Sequence, residues 1–278
     1  MKKERLLPVL AVLFGAIGAA LRLWERATAF EPETGLPVFS PATVCLIAAL
    51  VLFLAVFALL LRGKHADFAG YDEAFAAGGD QIFLALEVAS AFLFLAGGVL
   101  TVLTARTSRG VRLMPYLLAV LCIGSFAALL ASAGNTFRGR KNAGAAVLLV
   151  PGYTGAIWLV SDYQKRAGDP VTLNYACEIL GIIAALLGLY FIAAAAFEKK
   201  PRVFATAFFC LAGITLCVTT LPDGHSKDFL AIAAAVVVHL GACVWVLLRS
   251  DRMCLAGEPY SPPVRDTEEN ETEDDPDA

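Results

Sequence analysis

A chain of 278 residues that is 58% hydrophobic and only 17% charged falls outside the soluble range, since soluble domains average about half apolar and a quarter charged. Its apolar residues come in blocks too long for ordinary core helices, which excludes a soluble core. The net charge of −3 conceals two physical objects: Glu258 to Ala278 carries nine acids and one Arg, and the remainder, with 16 acids against 21 Lys and Arg, is basic at +5.

Eight apolar runs follow in chain order, at about 6–24, 42–62, 81–104, 113–133, 144–161, 171–197, 203–221 and 229–248. About 20 apolar residues cross the ~30 Å hydrocarbon layer as a helix, and in lipid a helix satisfies its own backbone polar groups. The expected fold is therefore an all-α, polytopic transmembrane helix bundle of about eight spans. It occupies residues 1–252, followed by a disordered acidic tail over 253–278.

The first run is short before Arg22, which is expected to snorkel to the headgroups, with Trp24 at the interface. A rival reading makes this run a signal peptide cut near Ala27-Thr28-Ala29, leaving seven spans. The charges at Arg22, Glu25 and Arg26 oppose that reading, because signal peptides are usually uncharged there. Loop one, Phe30 to Pro37, is bent by Pro and Gly and holds no metal-like grouping. Residues 66–77 place Phe68, Tyr71 and Phe75 opposite Asp72 and Glu73. That pattern fits a short helix lying on the membrane interface or an irregular loop with aromatic anchors.

Three spans carry an ionisable residue where hydrocarbon makes one costly: Glu87, Glu178 and His239. Glu87 shares a face with Ser90, Ala91, Phe94, Gly98 and Thr101. Glu178 shares one with Asn174, Gly181, Ala185 and Gly188, and His239 lines up with Ala235, Ala242 and Cys243. Small residues on these faces predict close helix contact rather than lipid. At ~1.5 Å per residue Glu178 lies outermost, His239 near the midplane and Glu87 toward the inner side. The three form either a ladder for a proton or cation, or separate hydrogen-bonding locks between helices.

The fifth run is interrupted by Val150-Pro151-Gly152-Tyr153-Thr154-Gly155. Pro151 removes a hydrogen bond, so a kink or break is expected, and Tyr153 and Thr154 are candidates to line a site there. The candidate intramembrane polar site is thus Glu87, Glu178, His239, Asn174, Tyr153 and Thr154. The segment Pro222 to Asp228 gathers Asp, His and Ser without a GxSxG elbow, and reads as a turn followed by an N-cap.

Arg5-Leu6-Leu7-Pro8 parallels Arg112-Leu113-Met114-Pro115. Glu87 and Glu178 each follow a Gly-Asp pair and precede a glycine ten residues on. The spacing allows an inverted three-helix repeat of the kind found in transporters. Placing both termini inside assigns 14 Lys and Arg to the cytoplasmic segments and 8 to the outer ones, with the Arg106–Arg112 turn opposing the trend. No inter-span loop exceeds about 20 residues, and Walker A, Rossmann and HExxH motifs do not occur. Six of the seven cysteines fall within spans, with no CxxC or zinc-like spacing, and read as small hydrophobes. No catalytic, cofactor or metal residue is expected, and no nucleic acid. The expected partners are the lipid bilayer and a membrane protein or second copy of the chain.

Leu21-Arg22-Leu23-Trp24, the segment Phe30 to Leu36, and Glu178-Ile179-Leu180 with Leu189-Tyr190-Phe191 resemble a family of uncharacterised polytopic membrane proteins from Gram-positive anaerobic bacteria. The resemblance implies a multi-pass protein of the bacterial plasma membrane and brings no activity or functional residue. The favoured reading is a non-catalytic membrane component, a scaffold or accessory subunit rather than an enzyme. The alternative is a small-solute or ion transporter, and a membrane-embedded enzyme ranks third. A polar cavity reaching two of the three ionisable residues would favour transport. Helix packing sealed over them would favour a scaffold.

Overall fold

The structure, a computed structural model, describes residues 3–31, 36–77, 79–107, 113–138, 146–197 and 201–257. Nine α-helices order these residues: α1 (Lys3–Thr28), α2 (Pro41–Leu61), α3 (Tyr71–Ala74), α4 (Gln81–Thr107), α5 (Leu113–Phe137), α6 (Ala146–Arg166), α7 (Ala176–Phe197), α8 (Val203–Thr219) and α9 (Lys227–Leu255). Single 3₁₀ turns at Thr172–Asn174 and Leu221–Asp223 lead into α7 and α9. The acidic tail expected to be disordered, from Glu258 on, and the outer arginines Arg109 and Arg112 lie outside the described residues. Helix α9 itself runs three residues past the expected boundary at 252.

Seven of the helices are long and apolar enough to cross a membrane: α1, α2, α4, α5, α7, α8 and α9. The chain is a membrane-embedded helix bundle, and its exposed Leu, Ile, Val and Phe side chains meet the lipid. Helix α6 is long enough at 21 residues, but Pro151, Gly152, Gly155 and the charged end Asp162–Arg166 dilute its apolarity. It packs between α5 and α7. The expected break at Pro151 is absent: α6 is helical throughout. Pro151 sits in its second turn, so the missing N–H leaves only a carbonyl near the helix start without its bond.

Burial grades from the centre outward. Helices α8 and α9 form the centre, with 72% and 67% of their apolar windows buried, against 22% for α2 at the rim. Helix α9 packs against α1, α4, α7 and α8. The small-residue face predicted on α7 is the one that meets α8. A Cβ on Gly213 would come within 2.8 Å of the Ala185 Cα, so only glycine permits that backbone approach. Helix α1 joins the same core through Leu7 and Ala11, and the Thr215 hydroxyl donates to the Ala11 carbonyl at 3.1 Å.

Residues 66–77 contain the short helix α3 with Asp72 and Glu73 exposed, and its aromatic face turns into the bundle. Phe68, Tyr71, Ala74, Phe75 and Ala77 are all buried in the main core, where Tyr71 and Phe75 stack at 4.6 Å and α3 packs against α7 and α9. Burying this apolar surface inside the bundle end removes more of it from water than lying flat would. Asp251 fixes the entry to this plug by accepting from the Ala66 N–H at 2.7 Å and pairing with His65 Nδ1 at 3.0 Å. Arg249 holds its exit through Asp80 at 2.6 Å.

Candidate functional site

The ionisable groups of the spans fall into two buried clusters. The inner cluster joins α4 to α9. His239 Nδ1 lies 2.9 and 3.0 Å from the two carboxylate oxygens of Glu87. Cys243, one turn along α9 from His239, places its sulfur 3.8 Å from Glu87 Oε1 and 3.8–3.9 Å from both ring nitrogens. All three side chains are buried. With Nδ1–H donating to the carboxylate, Nε2 presents a lone pair. A sulfur equidistant from both nitrogens is off the Nε2 lone-pair axis, so the trio is not aligned as a nucleophile and its base. Ser90 helps hold α4 on α9 by donating to the Ala235 carbonyl at 2.8 Å.

Tyr71 of the plug borders this cluster. Its hydroxyl hydrogen-bonds Ser132 and lies within electrostatic range of Cys243 and Glu87. Burial pushes the phenol well above its usual range, with the charges of Cys243 and Glu87 adding to the shift.

The outer cluster is larger. Arg22 is buried rather than snorkelled to the headgroups. Its guanidinium donates to Asp223 at 2.8 Å, Glu25 at 2.5 Å, and the Leu173 and Asn174 carbonyls at 3.2 and 2.8 Å. Those acceptors outbid lipid headgroups because they are preorganised. Trp24 is exposed. Glu178 accepts from Arg166 at 2.7 Å and faces His225 Nδ1 at 3.4 Å, with the Asp162 carboxyl in hydrogen-bonding reach. His225 Nε2–H donates to the Thr220 carbonyl at 2.8 Å, and its ring stacks on Phe229 at 3.9 Å. Lys165 pairs with Asp228 at 3.5 Å. The 222–228 segment is the predicted turn, with Gly224 in the left-handed region at φ +71°. Its Asp and His nevertheless face inward to pair, and Ser226 makes no side-chain cap.

The six candidate residues do not converge on one site. Glu87 and His239 meet. Glu178, on α7, belongs to the outer cluster, whose α9 member Asp228 lies eleven residues, about 16 Å along the helix axis, from His239, across a layer that includes Trp158, Phe229, Ile232 and Ile182. Asn174 donates to Asp169 at 3.0 Å, on the rim of the outer cluster. The Thr154 hydroxyl is buried in the α5–α6 contact, 2.7 Å from the Ser125 hydroxyl and within reach of the Leu121 and Val150 carbonyls. Tyr153 is exposed on the outside of the bundle.

Two cavities open nearby, and neither is lined by Glu87, Glu178 or His239. One is an apolar groove of about 770 Å³ between α1, α4 and α9, lined by residues such as Val12, Leu86, Val238 and Trp245. The other is a polar cleft of about 340 Å³ over the outer cluster, bounded by Arg22, Arg26, Arg166, Asp169, Asn174 and Asp223. Sequence reasoning missed the ion-pair roles of Arg22, Arg166, Asp223 and His225, and the carboxyl–carboxyl contact of Asp162 with Glu178. Cys243 stood on the His239 face in the sequence, and only its meeting with Glu87 across 156 residues needed the fold. No protein-family model, curated protein or solved structure matches the chain.

Proposed function

We propose that the chain is a non-catalytic component of its membrane, a scaffold or accessory subunit, with α6 as an eighth crossing beside the seven more apolar helices and both termini therefore on the cytoplasmic side of a bacterial plasma membrane. The Glu4–Arg252 pair at 2.9 Å supports terminal ends on one side. The observation that carries this reading is the sealing of Glu87, Glu178 and His239. Each is buried and paired, two with one another and the third with Arg166. Intramembrane hydrogen bonds of this kind are worth about 0.6–2 kcal/mol and serve as locks between helices. A transporter needs a wet route past such groups, whereas an apolar layer separates the two clusters. The orientation rests on the Lys and Arg bias of the loops. A partner or second copy would meet the exposed face of rim helix α2, which carries Val44, Ile47 and Val51.

The test is flux. Purified protein reconstituted in liposomes and challenged with proton, monovalent and divalent cation gradients is expected to match empty vesicles, and E87Q and E178Q to match wild type. A flux or current that disappears in E87Q or E178Q overturns the scaffold in favour of a transporter. Cys45, exposed on α2, supplies a crosslinking handle in native membranes. A discrete crosslinked species through Cys45 is expected, and a strictly monomeric chain counts against a scaffold.

A further inference from the structure

Glu87, His239 and Cys243 combine a carboxylate oxygen, an imidazole nitrogen and a sulfur, all within 4.8 Å of one another and all buried. That donor set suits a borderline divalent ion, zinc above the hard oxygen-seeking cations. The three atoms Glu87 Oε1, His239 Nδ1 and Cys243 Sγ form a triangle with sides of 3.0, 3.8 and 3.9 Å. The point equidistant from them lies about 2.1 Å from each, where zinc bonds to N and O run about 2.0–2.2 Å and to S about 2.3 Å. The spacing of the three ligand atoms is that of a zinc site, and since Nδ1 points at the Glu87 carboxylate, binding turns the ring toward the ion.

Charge supports the same conclusion. A carboxylate and a thiolate together cancel a dication, so the filled site is neutral at a depth where net charge is costly. Among the described residues the titratable groups found in interaction with the cluster are Tyr71 and the Cys210 thiol, neither of them a cation that would repel the ion. Three protein ligands leave one coordination position, to be taken by water or a fourth oxygen.

We infer that Glu87, His239 and Cys243 form an intramembrane binding site for a zinc-like divalent metal ion, clamping α4 to α9. The inference is independent of the scaffold reading, since a structural ion would brace a scaffold and a labile one would serve a transporter. On binding, the proton of the Cys243 thiol and the Nδ1 proton of His239 leave their ligand atoms. The imidazole is then protonated at Nε2, and the thiol proton passes to solvent.

The test uses full-length protein in detergent, stripped of metal and titrated with Co²⁺ and then Zn²⁺. The expected result is one Co²⁺ per chain with a sulfur-to-cobalt charge-transfer band that Zn²⁺ abolishes. The band should vanish in C243S and persist in C217S, a buried thiol elsewhere in the bundle that contacts the Gly181 carbonyl. E87Q and H239Q should weaken Zn²⁺ binding at least tenfold. No thiolate band in wild type, or an unchanged band in C243S, overturns the site. Should E87Q or H239Q fail to fold, the wild-type thermal midpoint decides. Saturating Zn²⁺ should raise it in wild type and C217S but not in C243S, and an equal response of all three rejects the proposal.

Discussion

The two buried clusters solve the problem of charge in a membrane protein differently. The outer cluster draws on α1, α6, α7 and the turn before α9, and brings its own cations. Arg22 alone reaches two carboxylates and two carbonyls, Arg166 serves Glu178, and Lys165 serves Asp228. The inner cluster takes three side chains from only two helices and contains no guanidinium or ammonium group. Carboxylates matched by arginines have their charge neutralised, even where one oxygen, as at Glu25 Oε1 and Asp223 Oδ2, is left without a hydrogen bond, and the assembly acts as a staple between distant segments. A carboxylate, an imidazole and a thiol matched only to one another keep lone pairs that a ligand can use. Position contributes to the division: Lys165 and Arg166 reach the outer cluster from part-exposed places at the end of the bundle, whereas Arg22 is wholly buried, as any cation at the inner cluster would have to be.

The largest expected effect tests the staple. R22A leaves Glu25 buried without its partner, Asp223 with only Arg26 at 3.8 Å, and two backbone carbonyls without the guanidinium donor. Removing one member of a buried ion pair costs about 3–5 kcal/mol. A fall of that size in unfolding free energy is expected in detergent micelles, read by helix content against denaturant. A loss below about 1 kcal/mol, the range of an exposed surface pair, would break the contrast by showing that the outer cluster is hydrated. The inner cluster should respond less. E87Q keeps the volume and an amide oxygen to accept from His239, so the metal-free protein should lose about 0.6–2 kcal/mol. An E87Q loss that equals that of R22A would mean that the inner pair is a staple too.

Much of this organisation can be read from the residues, and the limits are instructive. Run length and apolarity locate the helices, and the Gly181, Ala185 and Gly188 stripe identifies the face that meets α8, since both are local properties repeated at helical spacing. The His239–Cys243 pair is legible for the same reason. The partnerships are not, because Arg22 finds Asp223 across 201 positions and Glu87 finds His239 across 152. No local pattern encodes such distances. The rule that amphipathic groups seek the membrane interface points Arg22 to the headgroups and offers residues 66–77 either an interfacial helix or an anchored loop. In each case a better-matched protein interior was available: acceptors for the guanidinium, and an open bundle end for Phe68 and Phe75.

The smallest expected effect lies at the rim of the outer cluster, where the staple meets water. The Asn174 side-chain amide and the Val171 N–H both donate to Asp169, holding the carboxyl of this half-buried residue below the usual carboxylate range. These bonds shape the turn that offers the Leu173 and Asn174 carbonyls to Arg22. A depressed folded-state value means that the contribution is complete above the unfolded pKa of about 3.9. It fades as pH falls through the folded value, because protonation then favours the unfolded chain. Thermal midpoints of wild type and D169A should therefore differ by a constant amount near neutrality and converge as the pH is taken below about 4. Convergence already at pH 6 would assign the effect to a group other than Asp169. A difference that persists at the lowest pH would show that Asp169 acts by packing, which would detach this turn from the electrostatics of the staple it adjoins.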